Sequence, residues 1–287
     1  MTLVPDCAAV PGEAARPPRR DYVPRTVRSV HHAAAMLKAL RTDPRSATLS
    51  DLARRVGLSK PAALSLLHTL REHRLVTRDA SLRYHLDWGT YELGSAVSTA
   101  EPLISATRFE VDELARRSGQ ASLVSILHNG GVLYVDTTLD GEPFRMAAND
   151  GKTAPLHATA SGKALLAFQR ADTISDVLRG PLPATTSRTI TDPLELGREL
   201  DRIRRCGYAT CHQEFEVGLS SIAVPVQGPD GEVHAALALA GPSSRFSGAF
   251  VSRSSDLLTD AAARVRAALV SSDSGISRDR TAFVSRY

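Results

Sequence analysis

LSDLARRVGLSKPAALSLLHTLREHRLV, residues 49–76, is the stretch on which the fold of the N-terminal part turns. It holds two short helical patterns with a turn between them. The first takes Ser50 as its start signal, lays Leu52, Ala53 and Val56 on one face, and is stopped by Gly57. Gly57, Leu58 and Ser59 form a tight turn in which Ser59 caps the next helix. Pro61 is tolerated there because first-turn N–H groups have no intrahelical partner to lose. In that helix Ala63, Leu66, Leu67 and Leu70 share a face that must pack inward, and the opposite face carries Lys60, Pro61, Leu64, Ser65 and His68. Two helices joined by so short a turn make a helix-turn-helix, whose outer face enters the major groove of DNA. Ser59 and Lys60 then stand at a helix N-terminus, where backbone N–H groups attract phosphate oxygens.

The flanks extend the motif. Upstream, Val30, Ala33, Ala34, Leu37 and Leu40 recur at helical spacing over residues 27–40, with Ser29 as N-cap. Downstream, residues 75–77 and 83–86 read as two short strands around a polar tip, which is a wing. Arg78 and Arg83 bracket that tip, where a wing meets the DNA backbone. Residues 1–25 carry five prolines with Arg16, Arg19, Arg20 and Arg25 but no apolar run, so they read as a disordered basic arm and not as an export signal. Charge follows the same division: residues 1–86 hold 15 Lys/Arg against 7 Asp/Glu, and residues 87–287 hold 20 against 24. That asymmetry suits a nucleic-acid-binding end joined to a body that leaves phosphates alone.

The rest of the chain reads as a second domain. At 287 residues, 43% of them hydrophobic and 23% charged, the chain can bury two cores. No apolar run approaches the roughly 20 residues of a membrane helix. Three cysteines at irregular spacing, Cys7, Cys206 and Cys211, point to a reducing compartment, hence the cytoplasm. Residues 87–97 and 102–117 look helical. Strand patterns at 122–128 and 132–138 flank Asn129-Gly130-Gly131, with more at 144–148, 208–213, 219–226 and 233–240. Helices are expected at 160–169, 172–178, 193–206 and 250–270, which makes an α+β domain on a mainly antiparallel sheet. The expected layout is an arm over 1–25, a winged helix-turn-helix domain over 26–87, a helical linker over 88–100, the second domain over 101–271 and a disordered tail over 272–287.

Within that domain residues 155–168 stand out, because small residues lead into a helix at Ala160, Ser161 and Gly162. Free N–H groups and the helix dipole favour an anion there. Other combinations fail on spacing. Gly151-Lys152-Thr153 and Gly162-Lys163 would need glycine where Met146 and His157 stand to form a phosphate loop. Cys206, Cys211 and His212 fit no standard zinc spacing. As a nucleophile and base, Cys211 and His212 are sequence neighbours, which seldom face each other. No catalytic site, metal or cofactor is expected.

Seven segments in order carry a resemblance: SVHHAAAMLKAL, the stretch quoted above, LYVDTTLDGEPFRM, PLHATASGKALLAF, TSRTITDPLELGRELDRIRRCGYA, EFEVGLSSIAVPV and ALALAGPSSRF. Over residues 27–270 the chain resembles the IclR family of bacterial regulators. The resemblance implies a GAF/profilin-like second domain enclosing one small molecule, and a homodimer or dimer of dimers on a palindromic operator in double-stranded DNA. It implies effector contacts at Ala160 and Ser161, with a facing wall of Pro143, Met146, Cys211, Leu219, Ser221, Ala238 and Ala240. Several of these depart from the family pattern: a polar or acidic residue is common at the Cys211 position, cysteine at Ser221, and hydroxyls at Ala238 and Ala240. The residues here therefore suit an effector that is largely apolar with one anionic or polar end. On the recognition helix Ala62 stands where Ser or Thr is frequent, and Ser65 where Arg is, so the operator should differ from the usual one. The implied function is a transcription regulator, read as a repressor, whose operator binding a small molecule controls. The rival is an oligomeric DNA-binding regulator that senses nothing.

Overall fold

A computed structural model of the chain describes residues 26–41, 47–100, 102–138 and 153–273. Two compact units divide between Gly94 and Ser95, inside a helix. The first holds α1 (Arg28–Arg41), α2 (Leu49–Arg55), α3 (Lys60–Glu72), β1 (Val76–Arg78), β2 (Tyr84–Leu86) and the start of α4 (Trp88–Ala100).

Helix starts in this unit differ from the Ser50 and Ser29 signals. Thr48 is the N-cap of α2: its hydroxyl accepts the Asp51 N–H at 3.3 Å while the Asp51 carboxylate accepts the Thr48 N–H at 3.3 Å. This reciprocal capping box satisfies two N–H groups and outcompetes Ser50, which lies inside the helix. Ser29 likewise lies within α1, and the His31 N–H already bonds to the Val27 carbonyl. At the other end of α2, Gly57 adopts φ 68°, and the N–H groups of Gly57 and Leu58 return to the Arg54 and Ala53 carbonyls. That double closure fixes the turn into α3. Met36, Leu52, Leu67, Val76 and Tyr84 are the buried centre, with Leu66 only partly buried. The wing is anchored from below, as the Tyr84 N–H donates to the Ala47 carbonyl at 2.9 Å.

The second unit comprises the end of α4, α5 (Pro102–Ser118), β3 (Ala121–His128), β4 (Gly131–Thr138), β5 (Thr153–Ala154), α6 (Ala160–Ala167), α7 (Ala171–Arg179), α8 (Pro193–Cys206), β6 (Ala209–His212), β7 (Leu219–Gln227), β8 (Val233–Pro242) and α9 (Gly248–Asp273). Its six-stranded sheet runs β5-β4-β3-β8-β7-β6 with every pair antiparallel. Asn129 and Gly130 close the β3–β4 hairpin at φ 48° and 72°, the positive values a two-residue turn requires. Strand alternation sorts the core into two layers. Val124, Ile222, Val224, Leu237 and Leu239 face α5 and α9. Leu123, Tyr134, Cys211, Ala236, Ala238 and Ala240 belong to the opposite layer, with α6 and α8. Arg264 of α9 clasps buried Glu110 of α5 with two bonds of 2.8 and 2.7 Å. Helix α9 continues through Asp273, two residues into the stretch expected as tail. The strand expected at 144–148, the arm over 1–25 and residues 274–287 lie outside the described residues.

Gly89 supplies a test of packing against propensity. A Cβ there would stand 2.5 Å from the Arg74 carbonyl oxygen, in backbone that cannot swing aside. Helix propensity alone predicts that Gly→Ala stabilises by about 1 kcal/mol. We expect Gly89→Ala to destabilise instead, by about 1–3 kcal/mol as in overpacking. A raised urea midpoint would contradict the close approach of α4 to the α3 C-terminus.

Candidate functional site

Two surfaces have the chemistry for binding, one in each unit. On α3, Ser59, Lys60, Pro61, Ala62, Leu64, Ser65 and His68 are all exposed, Leu64 at 47% despite being apolar. Ser59 holds the extended N-cap conformation, yet its hydroxyl makes no cap bond. The helix end therefore keeps both its hydroxyl and its first N–H groups for an outside acceptor. The wing arginines are placed unequally. Arg83 is exposed at the tip, whereas Arg78 is partly buried with its guanidinium 5.3 Å from the centre of the Tyr84 ring. Asp79 shapes the tip: it accepts the Arg83 N–H at 2.9 Å and contacts the His85 ring at 2.8 Å. The His85 bond first, and then the Arg83 N–H, hold its carboxyl below the usual range.

In the second unit Ala160, Ser161, Cys211, Leu219, Ser221, Ala238 and Ala240 line one cavity. Leu123, Tyr134, Thr159 and Phe215 also line it, among the described residues. Gly162 is behind the wall: a Cβ there would stand 2.3 Å from the Leu156 carbonyl oxygen, so glycine is what lets the turn close. Pro143 and Met146 lie outside the described residues. Thr159 caps α6, accepting the Gly162 N–H at 3.0 Å and donating to the Pro155 carbonyl at 3.1 Å. The N–H groups of Ala160 and Ser161, and the hydroxyls of Ser161 and Ser221, have no partner among the described residues. Among the described residues those four groups are the cavity's uncommitted polar contacts, and the rest of the described wall is mostly aliphatic and aromatic.

Burial sets the protonation of the other polar wall groups. The Cys211 thiol donates to the Ala158 carbonyl at 3.3 Å, and burial, with the nearby Glu214 charge, pushes it up, so it stays a neutral thiol at pH 7. Burial likewise raises the Tyr134 hydroxyl far above its ordinary value. His212 is exposed and contacts the Ser220 hydroxyl at 3.0 Å. Alternation along β6 thus separates Cys211 from His212 and removes the nucleophile–base pairing. The cavity is small, about 20 Å³ between the described residues. That holds about one water molecule, far short of the ~300 Å³ of an ordinary ligand pocket.

Beside the cavity is an ion pair that no sequence spacing signalled. Lys163 of α6 is 1% exposed, and its Nζ donates to both Glu214 oxygens at 2.7 Å. Glu199 of α8 stands 3.9 Å away and accepts two bonds from Arg202 at 2.8 Å. Thr159, Tyr134, Leu123 and Phe215 were missed as well. Alternation could have found Tyr134 and Leu123, but the Lys163–Glu214 pair joins residues 51 apart and exists only in the fold.

The family model described as Bacterial transcriptional regulator IclR C-terminal matches residues 95–267, and that described as IclR helix-turn-helix domain matches 29–80. The chain belongs to the IclR family. It is similar to the glycerol operon regulatory protein of Streptomyces griseus, 34% identical over 257 residues that cover 88% of this chain and 99% of that protein. It is also similar to the HTH-type transcriptional regulator KdgR of Escherichia coli, 32% identical over 229 residues covering 79% and 87%. A solved IclR transcriptional regulator from Alicyclobacillus acidocaldarius superposes with a TM-score of 0.78 at 31% identity, covering 85% of this chain and 99% of that one. As a member of this family the chain is a DNA-binding transcription regulator, and not an enzyme. Its helix-turn-helix and its antiparallel α+β unit are the two parts of the IclR architecture.

The Glu199 cluster gives this IclR protein an acid dependence. Burial raises the Glu199 carboxyl, but the Arg202 bonds and the Lys163 and Arg202 charges outweigh it and leave the group below its ordinary value. A carboxyl depressed in the folded state contributes stability above the unfolded pKa of about 4.3, and loses it as pH falls through the folded value. The urea midpoint should therefore decline below about pH 4, and Glu199→Gln should flatten part of that decline. Identical acid profiles for the two proteins would remove Glu199 from the account.

Proposed function

We propose that the chain is a cytoplasmic repressor that binds a palindromic operator as a homodimer or dimer of dimers, and that a small molecule in the second unit controls it. The DNA contacts are assigned to Ser59, Lys60, Pro61, Ala62, Leu64, Ser65 and His68 on α3, with Arg83 at the wing tip. Arg78 contributes less, being drawn onto Tyr84. Support for a dimer comes from α4, where Trp88, Tyr91 and Val97 are 75%, 67% and 65% exposed. One recognition helix reads only a half-site, and two-fold protein symmetry matches a palindrome. Among the described residues no helix is long and apolar enough to cross a membrane.

The observation that carries the effector reading is the α6 turn: Ala160 and Ser161, whose N–H groups have no partner among the described residues, line one cavity together with Ala238, Ala240 and Leu219. Donors at one end and aliphatic carbon at the other fit a mostly apolar molecule with one anionic or polar end. The proposed layout is an arm over 1–25, a linker over 88–100 and a tail over 272–287 whose first two residues belong to α9.

Two measurements test this. Fluorescence anisotropy on the upstream intergenic DNA should show affinity falling steeply with salt, as displaced counterions demand, and Lys60→Ala should weaken binding with an unchanged melting temperature. A flat salt response, or a Lys60→Ala protein that unfolds, would count against the assigned face. For the pocket, benzoate as a minimal apolar carboxylate should raise the melting temperature of the full chain with increasing concentration, and pyruvate should not. Ala240→Trp, first checked for folding because overpacking costs about 1–3 kcal/mol, should abolish the benzoate shift and leave DNA binding intact. A folded Ala240→Trp protein that still responds would place the pocket elsewhere, and a response to pyruvate alone would refute the apolar assignment.

A further inference from the structure

The space between the described walls of the cavity holds about one water, so a larger ligand needs one of those walls to move. The strand and helix residues of those walls are fixed by the sheet ladder and by α6. Phe215 is different, since it sits in the turn between β6 and β7. The turn closes on itself through Gln213, whose N–H donates to the Leu219 carbonyl and whose side-chain oxygen accepts the Gly218 N–H, and Glu214 ties it to the neighbouring segments. Its carboxylate receives Lys163 Nζ on both oxygens at 2.7 Å. Its carbonyl accepts the hydroxyls of Thr185 and Thr189 at 2.7 and 2.6 Å, while Thr186 donates to the neighbouring Gln213 carbonyl at 2.7 Å. Gln213 itself is bent into the left-handed region at φ 57°. The position of Phe215 is thus determined by α6 on one side and by the 185–189 segment on the other.

A buried pair is a costly way to add stability, because desolvation consumes most of the Coulombic gain. Separating it is strongly unfavourable, because each released charge is left buried without its partner. We propose that Lys163 and Glu214 are positioning residues that latch the β6–β7 turn against α6 and set how readily the effector pocket opens. The inference rests on the cavity being that pocket. The pair stands apart from the ligand groups: Lys163 lies on the same helix as Ala160 and Ser161 but is not part of the cavity wall.

Cys211 supplies the readout, being a buried thiol on the pocket wall. The full chain carrying Cys7→Ser and Cys206→Ser would be labelled with iodoacetamide at fixed pH, and the Cys211 rate followed by mass spectrometry over low urea concentrations. Adding Lys163→Met and Glu214→Gln together removes the latch without leaving a lone buried charge. It should speed labelling at least about tenfold, and the rate should stay independent of urea below the unfolding transition, because a local opening exposes little surface. Equal rates would overturn the proposal. So would a gain that grows steeply with urea in step with lost global stability. The single variants separate a latch from an electrostatic effect on the thiol, because Glu214 raises the Cys211 thiol and Lys163 lowers it. Loss of a latch speeds labelling in both; a charge effect alone moves the two rates in opposite directions and would also overturn the proposal. The reagent reads the opening without any effector, so failure here leaves the Ala240→Trp outcome standing, and failure of that test leaves the latch measurement standing.

Discussion

On β8, Ala236, Ala238 and Ala240 face one layer of the core while Leu237 and Leu239 face the other, and the second unit is arranged around that inequality. The leucine face is filled by α5 and α9, clasped by Glu110 and Arg264, into a solid layer in which each large side chain contributes roughly 1.5–3 kcal/mol by leaving water. The alanine face cannot fill itself. It admits the first turn of α6 close to the sheet, and Gly162 permits that turn to lie on the Leu156 backbone without a Cβ between them. What remains between turn and strands is a gap edged by unpaired N–H groups. The cavity is therefore a consequence of side-chain size on one strand together with one glycine.

The two units use the same feature, a helix N-terminus, in opposite environments. On α3 the cap hydroxyl of Ser59 is uncommitted and the surrounding face is exposed, which leaves the helix end to a polyanion that arrives with its own solvent and counterions. On α6 the cap hydroxyl of Thr159 is spent on Gly162, the whole turn is buried, and Ala160 and Ser161, whose N–H groups have no partner among the described residues, line the cavity. A short anion on an apolar body fits the second and a phosphate backbone fits the first. Burial makes the difference: a desolvated donor without a partner is costly, so α6 gains more from an acceptor than α3 does.

Local features were legible in the sequence because their causes are local. The turn at Gly57, the hairpin at Asn129-Gly130, and the limits of α8 from Pro193 to Cys206 follow from residues within a few positions. Errors arose where two local signals competed, as when Thr48 with Asp51 displaced Ser50 as the cap. The residues carried over from the IclR resemblance and lying in the described segments line one space, whereas Gly162, taken from the reading of the helix turn, does not line it. Phe215, Lys163 and Glu214 were not legible. Their roles arise from contacts between a helix, a turn and the 185–189 segment, and neither periodicity nor spacing along the chain encodes which distant charge a buried lysine will meet.

The central claim is that the first turn of α6 receives the effector's polar end. Amide spectra of the full chain labelled with ¹⁵N at alanine and serine would test it most directly during a benzoate titration. The account predicts that the Ala160 and Ser161 signals shift downfield and saturably, more than those of any other alanine or serine, as their N–H groups gain an acceptor. Saturable shifts confined to amides away from this turn, with Ala160 and Ser161 unmoved, would contradict it.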